Sequence, residues 1–166
     1  MQKTFVNKVT TNFVSNQLCT DELRCLIDRK EKHENMQVTV HTSTREVLAT
    51  YIIDEARMEL IVTLPVNHPL GAVKVESGQQ IGGRLQSRVL VMQLTIFLTH
   101  QNGSISDGLS LWKRNLDRKF EGVQECYVCY SVIHQETCQL PKLSCRKCKN
   151  KFHGPCLVSL NLTLFL

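Results

Sequence analysis

The chain has 166 residues, of which 42 % are hydrophobic, and a formal charge of +5. That apolar content builds a core and excludes a disordered chain, and the length suits one compact domain with a small appendage. Residues 1–112 carry 11 basic and 11 acidic side chains and residues 113–166 carry nine and four, so the excess lies at the C-terminal end, where it suits an acidic partner face, nucleic acid or plain solvent.

The first residues lack a basic region followed by an apolar run, so no secretory signal is expected. No stretch of roughly 18 apolar residues exists, and the apolar run from Cys156 is too short to span a membrane. Eight cysteines in such a chain read as metal ligands or free thiols in a reducing compartment rather than as a disulfide framework.

In chain order, Phe5, Val9, Phe13 and Leu18 recur at a loose helical spacing, predicting a helical segment over 1–30. Its many Thr and Asn residues compete for backbone hydrogen bonds and weaken the pattern. Residues 28–35 are almost all polar or charged and read as a loop and boundary. From Met36 the period becomes two. Val38 and Val40, then Val47, Ala49, Tyr51 and Ile53, then Met58, Leu60, Val62 and Leu64 each alternate with other residues, and Val73 and Val75 form a short fourth run. Brief turns and a Pro-bracketed loop (Pro65, Pro69, Gly71) join them into an antiparallel meander, which Gly78, Gly82 and Gly83 end. Leu85, Val89, Met92 and Ile96 then give one apolar helix face. Asn102-Gly103 breaks that helix. Ser104 caps the next, Asp107 completes a capping-box pattern, and Ile105, Leu109, Trp112, Leu116 and Phe120 form its buried stripe. The expected fold class is α+β, a four-stranded antiparallel sheet covered by helices on one face over residues 36–121.

The strongest chemical signal follows. Cys126-x2-Cys129, fifteen residues, Cys145-x2-Cys148, four residues, and His153-x2-Cys156 are three pairs, each able to converge on one metal from a tight knuckle. Zinc takes four thiolate or imidazole ligands tetrahedrally, so zinc is the expected cofactor of a module over 126–157. Cysteines that are merely buried do not account for the paired spacing. Six ligands do not divide into two such sites. Either Cys126, Cys129, His153 and Cys156 share a metal, leaving Cys145 and Cys148 as half of another site, or Cys126, Cys129, Cys145 and Cys148 form one all-cysteine site. In both cases the closed shell leaves no position for a reactive water, and the zinc is structural.

The segments TREVLATYIIDE, LPVNHPLG, LTHQNGSISDGLSLWKRNLDRKFEG, CYSVIH and CRKCKNKFHGPCL resemble the listerin family, RING-type E3 ubiquitin ligases acting on stalled nascent chains at the large ribosomal subunit. The resemblance covers residues 36–157, and residues 3–27 resemble the end of that family's upstream helical repeats. It implies an RWD-like fold for the sheet domain, docking of that domain on the ribosome, and a ring that recruits a ubiquitin-charged E2 enzyme. It favours the interleaved ligand pairing, gives Val128 the apolar position with which RING domains touch the E2, and adds quality-control complex subunits as partners and the cytosol as the place of work. It names no catalytic residue. After Leu157 the family continues into a helix and a closing Cys-Pro-x-Cys pair. Residues 158–166 read instead as a non-homologous tail, so the ring is expected to be incomplete, and the alternative expectation is a ligase-inactive fragment acting only as a ribosome- or protein-binding module.

Other residues read more plainly. Cys138 is a loop thiol between ligand pairs, Cys19 and Cys25 are core or surface thiols, and His68 is a turn residue. His134 lies near the ligand pairs but is left out of them. The basic run Arg146, Lys147, Lys149 and Lys151 suits a solvated or E2-facing surface better than RNA, since it has no stacking aromatic except Phe152. Asn102-Gly103-Ser104 and Asn161-Leu162-Thr163 match glycosylation acceptors but read as turns.

Overall fold

A computed structural model describes residues 2–28, 35–54, 56–78, 84–101 and 103–159. The N-terminal segment is helical: α1 (Gln2–Val9), a π-helical turn (Thr10–Val14) and α2 (Ser15–Asp28). The sheet follows as β1 (Met36–His41), β2 (Glu46–Ile53), β3 (Ala56–Thr63) and β4 (Lys74–Ser77). All neighbours are antiparallel in the order β1-β2-β3-β4. Helices α3 (Arg84–His100) and α4 (Ile105–Phe120) come next, then a short hairpin of β5 (Leu143–Ser144) and β6 (Lys151–Phe152), and α5 (Gly154–Ser159). None of these helices is long and apolar enough to cross a membrane.

The register explains the core. Met36, Tyr51 and Met58 form one cross-strand row, and Val40, Val47, Val62 and Val75 another. Because side chains alternate along a strand, rows two residues apart share a face. Val47, Ala49, Tyr51, Met58, Leu60 and Val62 are buried there. The α4 stripe lies in the same core, with Ile105, Leu109, Trp112, Leu116 and Phe120 all buried. Ser104 caps α4 by accepting the Asp107 N–H at 3.1 Å. Tyr51 stands edge-on to Trp112 and stacks on Phe120 at 6.1 Å between centroids. Its hydroxyl donates to Asp117, which Lys113 also holds. A side chain at Gly108 would meet Leu94 at 2.8 Å, so glycine there permits the close approach of α4 to α3.

Two apolar faces read from the sequence are turned differently. In α3 the residues Val89, Met92 and Ile96 are exposed, whereas Leu94 and Leu98 are buried and Leu90, Val91 and Phe97 half-buried. This helix is apolar nearly all round, so periodicity alone offered two faces, and packing on α4 and β4 selected the other. Leu85's side chain, Gly82, Gly83, Asn102 and residues 160–166 lie outside the described residues. In the N-terminal segment, Phe5 and Phe13 are 71 % and 78 % exposed, and the buried face is Ser15, Cys19 and Leu23. That face is tied down by polar bonds. Arg45, left-handed at φ 56°, donates to Ser15 at 3.2 Å. Glu22 accepts the Ile105 N–H at 3.0 Å and pairs with His68 at 3.3 Å. Burial alone would push the Glu22 carboxyl up, but the His68 and Ile105 bonds outweigh it and hold the carboxyl below its ordinary value. Cys19 is buried in the core and Cys25 is exposed.

Candidate metal centre

The chain after α4 makes a tight loop at each of the first two ligand pairs, and the third pair spans the start of α5. The Cys126 N–H donates to the Ser131 carbonyl at 3.1 Å and the Tyr130 N–H returns to the Cys126 carbonyl at 2.8 Å. Tyr130 is left-handed at φ 54°. The loop at Cys145 repeats this, with the Cys145 N–H on Asn150 O and the Lys149 N–H on Cys145 O, both at 3.0 Å, and φ 62° at Lys149. Such a turn directs successive amides at the first cysteine's sulfur and brings the second beside it.

Cys126, Cys129, His153 and Cys156 converge, one ligand atom from each, all within 4.8 Å of one another. The Cys129 sulfur is 3.3 Å and the Cys156 sulfur 3.8 Å from His153 Nδ1. Zinc at about 2.3 Å from sulfur and 2.0–2.1 Å from nitrogen places neighbouring tetrahedral ligand atoms roughly 3.5–3.8 Å apart. The observed spacings bracket that edge, so the residues fit the ion. The site is also interior, with Cys126, His153 and Cys156 buried and only Cys129 exposed.

Ring orientation of His153 is settled by its other nitrogen. Nε2–H donates to the Val132 carbonyl at 3.3 Å, which leaves Nδ1 as the free lone pair facing the sulfurs. Burial lowers the His153 pKa, with neighbouring His134 adding to the effect against the Val132 and Gln139 backbone, a shift towards the neutral imidazole that ligation requires. Burial pushes the Cys126 thiol up, but the amides of Cys129, His153 and Val128 outweigh it and hold the thiol below its ordinary value. Burial, with the Cys129 and Cys126 thiols beside it, raises Cys156 to about 12; a bound cation would reverse that preference.

The other sequence-selected residues are placed apart. Cys145 is half-buried and Cys148 exposed, and both stand outside the cluster in which Cys126, Cys129, His153 and Cys156 converge. Amides of Cys148 and Lys147 lower the Cys145 thiol. Val128 is half-buried at the tip of the first loop, flanked by Tyr127 and Tyr130, which are 60 % and 69 % exposed and pair at 6.0 Å. Cys138 is half-buried against the core. His134 stands edge-on to His153 at 5.3 Å between centroids.

Two features escaped sequence reading. A third loop at His134–Gln139 has the same backbone as the two cysteine loops, with His134 N–H on Gln139 O, Cys138 N–H on His134 O and φ 52° at Cys138. His134 and Thr137 stand where the cysteines would, 3.2 Å apart, and an H-x2-T spacing is too common to signal this. The Val132 carbonyl is the other, since a backbone acceptor leaves no trace in residue type.

Residues 36–119 match the family described as ubiquitin conjugating domain-like. The E3 ubiquitin-protein ligase listerin of Drosophila melanogaster is 72 % identical to this chain over 156 residues, covering 94 % of this chain and 9 % of that protein. The listerin of Mus musculus is 48 % identical over 153 residues (92 % and 9 %). That of Saccharomyces cerevisiae is 33 % identical over 157 residues (92 % and 10 %). The chain therefore spans about a tenth of the length of the relatives it matches.

Proposed function

We propose that this chain, which belongs to the ubiquitin-conjugating-domain-like family and is homologous to the listerins, is the E2-recruiting part of a RING-type E3 ubiquitin ligase. The observation that carries the reading is the convergence of the first and third ligand pairs while the second stands apart. That is the interleaved order of a RING. Cys126, Cys129, His153 and Cys156 hold the zinc, and Cys145 and Cys148 supply half of a second site. The ion, closed in by four ligands, fixes loops that bury little core of their own.

Ubiquitin is carried as a thioester, which needs a cysteine, and residues 36–119 contain none. The conjugating-like domain is therefore a binding scaffold of the RWD-like kind. The first loop, with Val128 between Tyr127 and Tyr130, is the E2-facing surface, an apolar and aromatic tip of the type that anchors interfaces. Transfer then proceeds by positioning: the bound E2 is held so that a substrate lysine attacks its thioester. By the resemblance given above, the substrate is a stalled nascent chain on the large ribosomal subunit, quality-control subunits are partners, and the work is cytosolic.

The second reading is a ligase-inactive module that binds the ribosome or another protein through the sheet domain, which matches the ubiquitin conjugating domain-like family. Discharge of ubiquitin from a panel of charged E2 enzymes separates the two. The assay uses this chain, its Val128→Arg variant, and a version carried on past Leu157 with the Drosophila melanogaster relative's own continuation. Acceleration by this chain, lost with Val128→Arg, supports the ligase. Acceleration by the extended version alone assigns this chain to the binding role, and silence from both across the panel refutes the ligase reading.

A further inference from the structure

We propose that Asp54 is a positioning residue that locks the zinc module to the sheet and so sets the direction in which a bound partner is presented. The inference rests on reading Cys126, Cys129, His153 and Cys156 as a zinc site. Asp54 follows the last residue of β2 and is left-handed at φ 51°. Its Oδ2 accepts the Val132 N–H at 2.9 Å, across 78 residues of chain. The carbonyl of the same Val132 receives His153 Nε2–H at 3.3 Å. The side chains of Val132 and Ile133 are 9 % and 3 % exposed and belong to the core that contains Tyr51, Leu116 and Phe120. One residue of the zinc module is thus held three ways: its amide by the sheet, its side chain by the shared core, and its carbonyl by a metal ligand.

This arrangement has a mechanical consequence. Apolar packing resists separation but is non-directional and tolerates small rotations, whereas a hydrogen bond to a carboxylate fails within tens of degrees. Asp54 supplies the directional constraint between a domain that docks and a module that recruits. Transfer by positioning is sensitive to displacements of about 1 Å, so a lock of this kind governs reach rather than affinity.

The test uses the whole chain loaded with zinc. Asp54→Gly removes the acceptor while keeping the left-handed backbone accessible. Asp54→Asn keeps both an acceptor oxygen and that backbone. Residual dipolar couplings of backbone amides report whether sheet and zinc module share one orientation, and hydrogen exchange reports the Val132 amide. In the wild type one alignment tensor fits both parts and Val132 is protected. Asp54→Gly should speed Val132 exchange roughly tenfold and split the couplings into two tensors while zinc stays at one per chain, and Asp54→Asn should restore the single tensor. The proposal is overturned if Asp54→Gly leaves one tensor and unchanged exchange, or if the wild type already needs two. A wild type that takes up no zinc overturns the zinc reading together with this proposal; a zinc-loaded wild type that fails the coupling test overturns this proposal alone.

Discussion

Replacing His153 with alanine takes away one of four converging ligand atoms and, with it, the bond to the Val132 carbonyl. Structural zinc sites bind with about 10–16 kcal/mol, so an even share for one ligand is roughly 3–4 kcal/mol, a few hundredfold in dissociation constant. His153→Cys keeps four ligands and loses only the outer bond, and losses of that kind cost about 10- to 100-fold. Cys145→Ser with Cys148→Ser touches neither, because that pair stands outside the cluster, and should leave this affinity unchanged. Competition against a chelator of known zinc affinity, with zinc per chain measured alongside, ranks the three variants. The expected order of weakening is His153→Ala, then His153→Cys, then the double serine variant at the wild-type value. If His153→Ala keeps wild-type affinity and the double serine variant releases the metal, the all-cysteine grouping holds the zinc and the distance argument is wrong.

Leu94→Ala should cost about 2–5 kcal/mol in urea unfolding, whereas Met92→Ala, on the exposed side of the same helix, should stay within about 0.5 kcal/mol; a reversal would restore the face that periodicity suggested. Tyr51→Phe removes a hydroxyl bonded to Asp117 at 2.9 Å and should cost about 1 kcal/mol, since the half-exposed carboxylate regains water. The Tyr51 phenol is raised, by burial first and then by Asp117. Its contribution is therefore complete below the ordinary tyrosine value and is lost as pH climbs beyond it, a decline that Tyr51→Phe should flatten in alkaline melts. Glu22, held below its ordinary carboxyl value by His68 and Ile105 against burial, behaves in the opposite sense: its contribution is present above that ordinary value and fades as pH falls through its folded-state pKa. Glu22→Gln should flatten that part of the acid-unfolding curve, and an unaltered curve would rule the pairing out as a source of stability.

Strands and α4 were legible because one physical rule dominates each. Val47, Ala49 and Tyr51, like Met58, Leu60 and Val62, recur at every second position and are buried, as a strand with one core face requires. Ser104 with Asp107 marks a helix start by the bond it makes, and the α4 stripe has a polar opposite face that leaves no second choice. Helix α3 lacked that contrast: Leu90, Val91, Leu94, Phe97 and Leu98 compete with Val89, Met92 and Ile96 on hydrophobicity alone. The N-terminal segment misled in the same way, since Phe5 and Phe13 are its most apolar residues but the small Ser15 and Cys19 are what the neighbouring elements can cover.

For the candidate site, residue type and local spacing by themselves determined that thiols and an imidazole would be offered in pairs, because an x2 knuckle is a short-range backbone turn. Which pairs would meet was a different matter. Cys126 and His153 are 27 residues apart, and their meeting depends on where the β5–β6 hairpin and the shared core at Val132 and Ile133 carry the chain. The Asp54 bond to Val132 is further removed still, between a sheet turn and a loop that no local pattern connects. Ligand chemistry is a property of side chains and can be read in order along the chain, whereas convergence and orientation come from packing between distant segments, which only the tertiary structure decides.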